Sequence, residues 1–127
     1  MSSRLVVNQI QDSNAKNVDT TFVTFGSLKA TVKANASATT TAAASLNISG
    51  STDHGGSGGD FSYNLTSAYA SVNSYVQTGI QEGASHGYFL TRNTGRHTAS
   101  IIAVECSSHA GALTDISQNI MTAGELA

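Results

Sequence analysis

The chain has 127 residues, of which 11% are charged, and its formal net charge is −2 with six Lys and Arg residues in all. This length predicts one domain with room for a core, because a chain of this size hides roughly two-thirds of its extended surface on folding. The few scattered basic residues exclude a phosphate-binding surface, and no apolar run is long enough for a membrane-spanning helix. The single cysteine, Cys106, excludes an intrachain disulfide.

The first predicted element is a strand over residues 4–10, which the turn-forming residues 12–14 end. We predict that residues 1–25 form an N-terminal docking arm, which adds main-chain hydrogen bonds at an open sheet edge. Its predicted docking contacts are Leu5, Val6, Val7 and Ile10. Gly26 and Ser27 separate this arm from a single predicted β-domain over residues 26–127. The arm lacks the apolar core of a signal peptide, which predicts folding in a cytoplasm.

Two more strands are predicted before residue 35. Residues 20–25 are β-branched and aromatic, and Gly26 ends them. In residues 28–34, Leu28, Ala30 and Val32 alternate with two lysines, which predicts a strand with these three apolar residues on one face. Residues 35–44 are of low complexity and predict little structure: alanine favours a helix there, and the threonine triplet opposes one.

The clearest pattern is a β-hairpin. Residues 45–49 and 60–66 each alternate apolar and small polar side chains, and the glycine-rich bridge His54–Gly59 joins them. Such flanks predict two antiparallel strands with one buried and one solvated face. The bridge itself is predicted to be a flexible tip, because glycine adopts positive φ at little cost.

Strands are also predicted at residues 72–80, 86–92 and 98–106. In the first, Val76, Thr78 and Ile80 alternate with Gln77 and Gly79, and residues 100–104 are apolar enough for a central strand. The tail holds either a last strand at residues 116–121 or a short helix. About eight strands at intervals of about ten residues predict an all-β fold, a small antiparallel β-sandwich or barrel-like domain with an extended N-terminal arm.

Candidate chemical sites are weak throughout. Residues 55–60 contain one copy of a calcium-binding repeat pattern, which binds calcium only when several copies are stacked. His54 and Asp60 are therefore only weak metal candidates. The four histidines lack metal-ligand spacing. Cys106 is predicted to be a small core residue, and its neighbour His109 does not make a catalytic pair with it by sequence adjacency. We therefore predict no catalytic residues, no cofactor and no bound metal.

Several segments resemble small β-domains of bacteriophage fibre and appendage proteins, especially those of marine and freshwater phages. The similar segments are Leu5–Asp12, Ser27–Ala30, Ser45–Ser49, Thr52–Asp53, Gly59–Thr66 and Tyr75–Val76. The family's usual tryptophan is replaced by Thr31, and no match extends beyond Gln77. The resemblance implies a virion protein with a β-fold, in the form of a homotrimer, and it implies no catalytic residue.

Two functions follow from the resemblance. One is a decoration or cement subunit on the phage head, with the major capsid protein or other virion proteins as partners and no contact with nucleic acid or membrane. The other is a tail-fibre tip or appendage module that binds a host receptor. The chain shows no heptads or long repeats of a fibre shaft. Its low charge suits a subunit that buries surface on a lattice, which favours decoration.

Overall fold

The computed structural model describes residues 9–11, 17–19, 27–37, 45–55, 58–82 and 88–127. In this part of the chain the regular elements are all strands, which confirms the all-β prediction. They are β1 (Gln9–Gln11), β2 (Asn17–Asp19), β3 (Leu28–Ala34), β4 (Ile48–Asp53), β5 (Asp60–Leu65), β6 (Tyr75–Glu82), β7 (Tyr88–Arg92), β8 (Ile101–Ser108) and β9 (Ser117–Gly124).

Two antiparallel sheets form the body of the fold. One has three strands in the order β3-β9-β6, and the other has four in the order β4-β5-β8-β7. Buried side chains from both sheets form one hydrophobic cluster, so the domain is a small β-sandwich rather than a closed barrel. In addition, β1 and β2 pair with each other as a two-stranded sheet, with Ile10 opposite Val18.

The hairpin prediction is confirmed by β4 and β5, which pair from Ile48 opposite Leu65 to Asp53 opposite Phe61. Phe61, Tyr63 and Leu65 alternate toward the core and are buried. The predicted central strand is also confirmed, because β8 lies between β5 and β7. Its apolar residues follow from that position, since a strand flanked on both sides is the most shielded from water.

The tail forms a strand rather than a helix. The eight residues of β9 lie at the centre of the three-stranded sheet, with β3 on one side and β6 on the other. Gln118, Ile120 and Thr122 point inward and are buried. Their alternation with more exposed neighbours has the period of two that a strand requires.

The two sheets approach each other closely where Gly79 lies. A Cβ built on Gly79 would come within 2.6 Å of Leu90 Cδ2, so the leucine of β7 occupies the space that a side chain on β6 would need. This close approach brings the edge strands β6 and β7 together at one side of the sandwich. The predicted strand at residues 20–25 lies outside the described residues.

Candidate functional site

The predicted docking contacts lie at the N-terminus. Leu5, Val6 and Val7 fall outside the described residues, and Ile10 lies in β1 opposite Val18. The boundary that we predict between an arm and the domain at residues 25 and 26 also falls outside the described part, so the docking arm stays a prediction.

The two weak metal candidates are engaged with other protein groups. His54 Nε2 lies 2.7 Å from Ser62 Oγ. Asp60 pairs with Arg96 Nε at 3.0 Å and accepts a hydrogen bond from Asn93 Nδ2 at 3.1 Å. The guanidinium neutralises the carboxylate that a calcium ion would need. Among the described residues, no group of three His, Cys, Asp or Glu side chains is arranged to hold a metal.

The end of the glycine-rich bridge is anchored, in contrast to the flexible tip that we predict from its composition. Gly59 N–H donates to Asp115 Oδ1 at 2.5 Å, and Gly59 C=O accepts from Cys106 N–H at 2.7 Å. Gly59 has a φ of 68°. Glycine is required there, because a Cβ would lie 2.3 Å from the Cys106 carbonyl oxygen.

A buried aromatic cluster joins the two sheets. The rings of Tyr69 and Tyr75 stack with centroids 3.9 Å apart, and Tyr69 donates to Thr122 Oγ1 at 2.5 Å. Tyr75 OH contacts His97 Nε2 and donates to the Thr98 carbonyl at 3.0 Å. Burial raises the pKa of both tyrosines, so the cluster is a neutral hydrogen-bonded core and holds no activated base.

His97 is held in its neutral form by its surroundings. Its side chain is buried, and burial lowers the His97 pKa from 6.5 to about 4, with the positive charge of Arg92 acting in the same direction. The Nδ1 atom accepts from Ala103 N–H at 3.2 Å, a hydrogen bond that only the neutral ring can accept. Because Nδ1 accepts, the single proton lies on Nε2 and is donated to Tyr75 OH.

This arrangement predicts a loss of stability in acid. The folded-state pKa of about 4 lies below the ordinary 6.5, so protonation favours the unfolded chain. The contribution of neutral His97 to the free energy of unfolding is complete above pH 6.5. It falls by at most about 1.4 kcal/mol per pH unit as the pH is lowered to 4. Denaturant unfolding of His97→Asn should show a shallower pH dependence in this window. His109→Asn, at an exposed loop position, is the control, and an unchanged slope in His97→Asn would contradict the assignment.

Cys106 is a core residue, as predicted. Its side chain is fully buried, and burial raises the pKa of the thiol to about 11. His109 lies in the exposed loop beyond β8. A thiol that stays protonated and shielded from solvent is a poor nucleophile.

The outer face of the three-stranded sheet is apolar. Four of its side chains are unusually exposed for their type: Leu28 (50%), Met121 (46%), Val76 (73%) and Ile80 (66%). Register pairs Thr78 with Met121 and Val76 with Ala123, which makes the patch continuous across β9 and β6. A hollow of about 200 Å³ lies between Leu28, Val76 and Met121. We call these four residues and the small side chains between them the apolar face.

Sequence patterns did not locate this face correctly. In β6 the inward residues are Tyr75, Gln77 and Gly79, and the more apolar Val76 and Ile80 point to solvent. Leu28 was expected on the same side of β3 as Ala30 and Val32, but it points outward. The cause is the shift of register between Leu28 and Ala30. The sequence gives one indication of this face: β6 has apolar residues at both its odd and its even positions. Burial of both faces of the strand would explain such a pattern.

The outer face of the four-stranded sheet is different in chemistry. It carries Asp60, Arg96, Glu105, Asn93 and His54, several of them joined by the hydrogen bonds given above. The two lysines of β3, Lys29 and Lys33, alternate with the inward residues of that strand, so the described charged side chains of the apolar face lie along its β3 edge. The two outer faces of the sandwich therefore differ: one carries charged and hydrogen-bonded side chains, and the other exposes apolar ones.

Comparison of the chain with protein-family models, with curated proteins and with solved structures gives no significant match. Within the described residues there is no helix with the length and hydropathy needed to cross a membrane.

Proposed function

We propose that the protein is a non-enzymatic structural subunit of a phage virion, and that it decorates the head surface by binding the major capsid protein. The observation that carries the proposal is the apolar face, where Leu28, Val76, Ile80 and Met121 are 46–73% exposed on one side of an otherwise well-packed sandwich. The resemblance of the chain to phage appendage domains supplies the biological setting.

The size of the face supports binding through many copies. Strands about 4.8 Å apart that rise about 3.3 Å per residue give a three-stranded face of roughly 400 Å². That is about half of what one partner contributes to a standard stable interface. One such contact is weak, and a lattice of capsid subunits that offers repeated contacts would turn it into firm attachment.

The chemistry of the face supports a protein partner. Its described side chains in β6 and β9 are uncharged, as interface centres are, and it holds a hollow that accepts an apolar side chain. The opposite outer face, with its paired Asp60 and Arg96, would remain in water. A subunit with one adhesive side and one solvated side suits attachment to a particle surface.

The experiment is reconstitution on particles that lack the protein. Met121→Lys places a charge at the centre of the apolar face, in the middle strand of the sheet, and should lower occupancy on heads at least about tenfold, since a buried unpaired charge costs more than 1.4 kcal/mol. Asn64→Lys, at an exposed position in an inner strand of the other sheet, is the matched control and should bind as the wild type does. Equal occupancy of both variants would contradict the proposal.

A further inference from the structure

The outward residues of the three-stranded sheet lie in rows that follow from the strand register. In one row Leu28 of β3, Ala123 of β9 and Val76 of β6 lie side by side. In the next row Met121 of β9 lies opposite Thr78 of β6. Neighbours within a row are about 4.8 Å apart, and successive rows on one face are roughly 7 Å apart. Ala123 is therefore a small residue surrounded by larger ones.

This difference in size produces the hollow in the apolar face. Its volume is about 200 Å³, and Leu28, Val76 and Met121 line it together with Ala123. A cavity of roughly 150 Å³ is large enough for a benzene-sized group, so the hollow has room for one inserted side chain. A partner's side chain in such a place loses its contact with water on nearly all sides, which is typical of the residues that carry most of the binding energy.

Charge complementarity indicates what lies next to that inserted side chain. Lys29 and Lys33 lie along the β3 edge of the apolar face, and the outward side chains described in β6 and β9 are uncharged. The described side chains of this face therefore place positive charge on one side of the hollow and no negative charge beside it. Complementary charges at the rim of an interface orient the two partners, so an acidic group of the partner fits this side.

We infer that the partner is a protein that inserts one protruding aliphatic side chain, of the size of leucine, over Ala123, with a carboxylate beside it on the side of Lys29 and Lys33. The inference names the partner's chemistry at the site that the proposed function uses, and in that respect it rests on that function. A lipid surface also receives apolar and basic groups, but it offers no single protruding side chain to a hollow.

A measurement in solution tests the hollow without any particle. The probe is N-acetyl-leucinamide, titrated into protein whose alanine and methionine methyl groups are isotopically labelled for NMR. The control probe is N-acetyl-asparaginamide, which has nearly the same shape and a polar side chain. The methyl signals of Met121 and Ala123 should shift and saturate with the leucine probe alone, with a Kd on the order of 10 mM.

Ala123→Leu fills the hollow with a side chain of the protein itself, and it should abolish the shift of the Met121 signal. The outward position of Ala123 leaves the core unchanged, and the remaining methyl signals check that the variant is folded. Absence of a saturable shift in the wild type, an equal response to both probes, or a response that persists in Ala123→Leu would each overturn the inference.

Reconstitution on particles that lack the protein tests the same variants against the partner. Ala123→Leu keeps the face apolar and should still lower occupancy on heads at least about tenfold, because the partner's side chain has no space to enter. Ser117→Leu adds the same side chain on the same side of β9, about 20 Å from Ala123, and should attach as the wild type does. Lys33→Glu should lower occupancy at least about threefold, and unchanged occupancy would overturn the acidic part of the inference.

The outcomes separate this inference from the proposed function. If Met121→Lys loses attachment and Ala123→Leu attaches as the wild type does, the apolar face is the docking site and the inference is wrong. If Met121→Lys attaches normally while the leucine probe binds the wild type, the proposed function is wrong and the hollow is still a binding site. Binding to vesicles of anionic phospholipid that Ala123→Leu leaves unchanged would assign the face to a membrane and overturn the inference.

Discussion

Gly59→Ala is expected to lower the free energy of unfolding by about 3–4 kcal/mol. The residue has a φ of 68°, a left-handed conformation that costs a residue with a Cβ about 1–2 kcal/mol. The added methyl group would also lie 2.3 Å from the Cys106 carbonyl oxygen and 2.6 Å from Thr114 N. Both are backbone atoms that cannot rotate away, so the backbone must shift at a cost of roughly 1–3 kcal/mol.

Gly111→Ala separates the cost of the left-handed backbone conformation from the cost of the close contact. Gly111 has a φ of 80°, and a Cβ built on it meets nothing within 4 Å. Its substitution should therefore cost only the conformational term, about 1–2 kcal/mol. Urea unfolding of both variants beside the wild type measures the difference. Equal losses at the two positions would contradict the close contact at Gly59 and the anchoring of the bridge by Cys106 and Asp115.

Tyr75→Phe is expected to lower the free energy of unfolding by about 2–3 kcal/mol. The lost hydroxyl accepts from His97 Nε2 and donates to the Thr98 carbonyl. Its removal leaves the buried His97 N–H without a partner, and an unsatisfied buried donor costs about 1–3 kcal/mol. The stacked ring of Tyr69 stays in contact, so the effect reports the hydroxyl and not the packing.

Tyr63→Phe is the matched control for this prediction. Tyr63 is also fully buried in the core, and its hydroxyl has no hydrogen-bond partner among the described residues. Removing that hydroxyl should leave stability unchanged or raise it slightly, because a buried polar atom without a partner is unfavourable. Thermal or urea unfolding tests both variants. A larger loss for Tyr63→Phe than for Tyr75→Phe would contradict the hydrogen-bond assignments around His97.

Local patterns in the sequence were sufficient to predict most strands. The hairpin of β4 and β5, the central position of β8 and the strand at residues 28–34 all follow from alternation, β-branched residues and glycine breaks, which are properties of short segments. For the tail of the chain, the sequence alone is compatible with either a strand or a short helix. Only its place between β3 and β6 makes Ser117–Gly124 a strand, and that pairing joins residues far apart in sequence.

The apolar face could not be predicted, because alternation shows that a strand has two faces and not which one meets the core. In β6 the core side is decided by Tyr75, which stacks on Tyr69, and by Gly79, which admits Leu90 from the other sheet. Both contacts are tertiary. As a result Val76 and Ile80, the more apolar pair, are left outside. The bulge beside Leu28 moves a third apolar residue out by the same kind of long-range constraint.

If the proposed virion role is correct, the protein is present in purified phage particles, and quantitative mass spectrometry of such particles, with the major capsid protein as the internal reference, tests the central proposal most directly. A decoration subunit that covers the head lattice predicts on the order of hundreds of copies per particle, in fixed proportion to the capsid protein. A few to a few dozen copies would assign the protein to a tail or vertex appendage and contradict head decoration. Absence from the particle would contradict a virion role altogether.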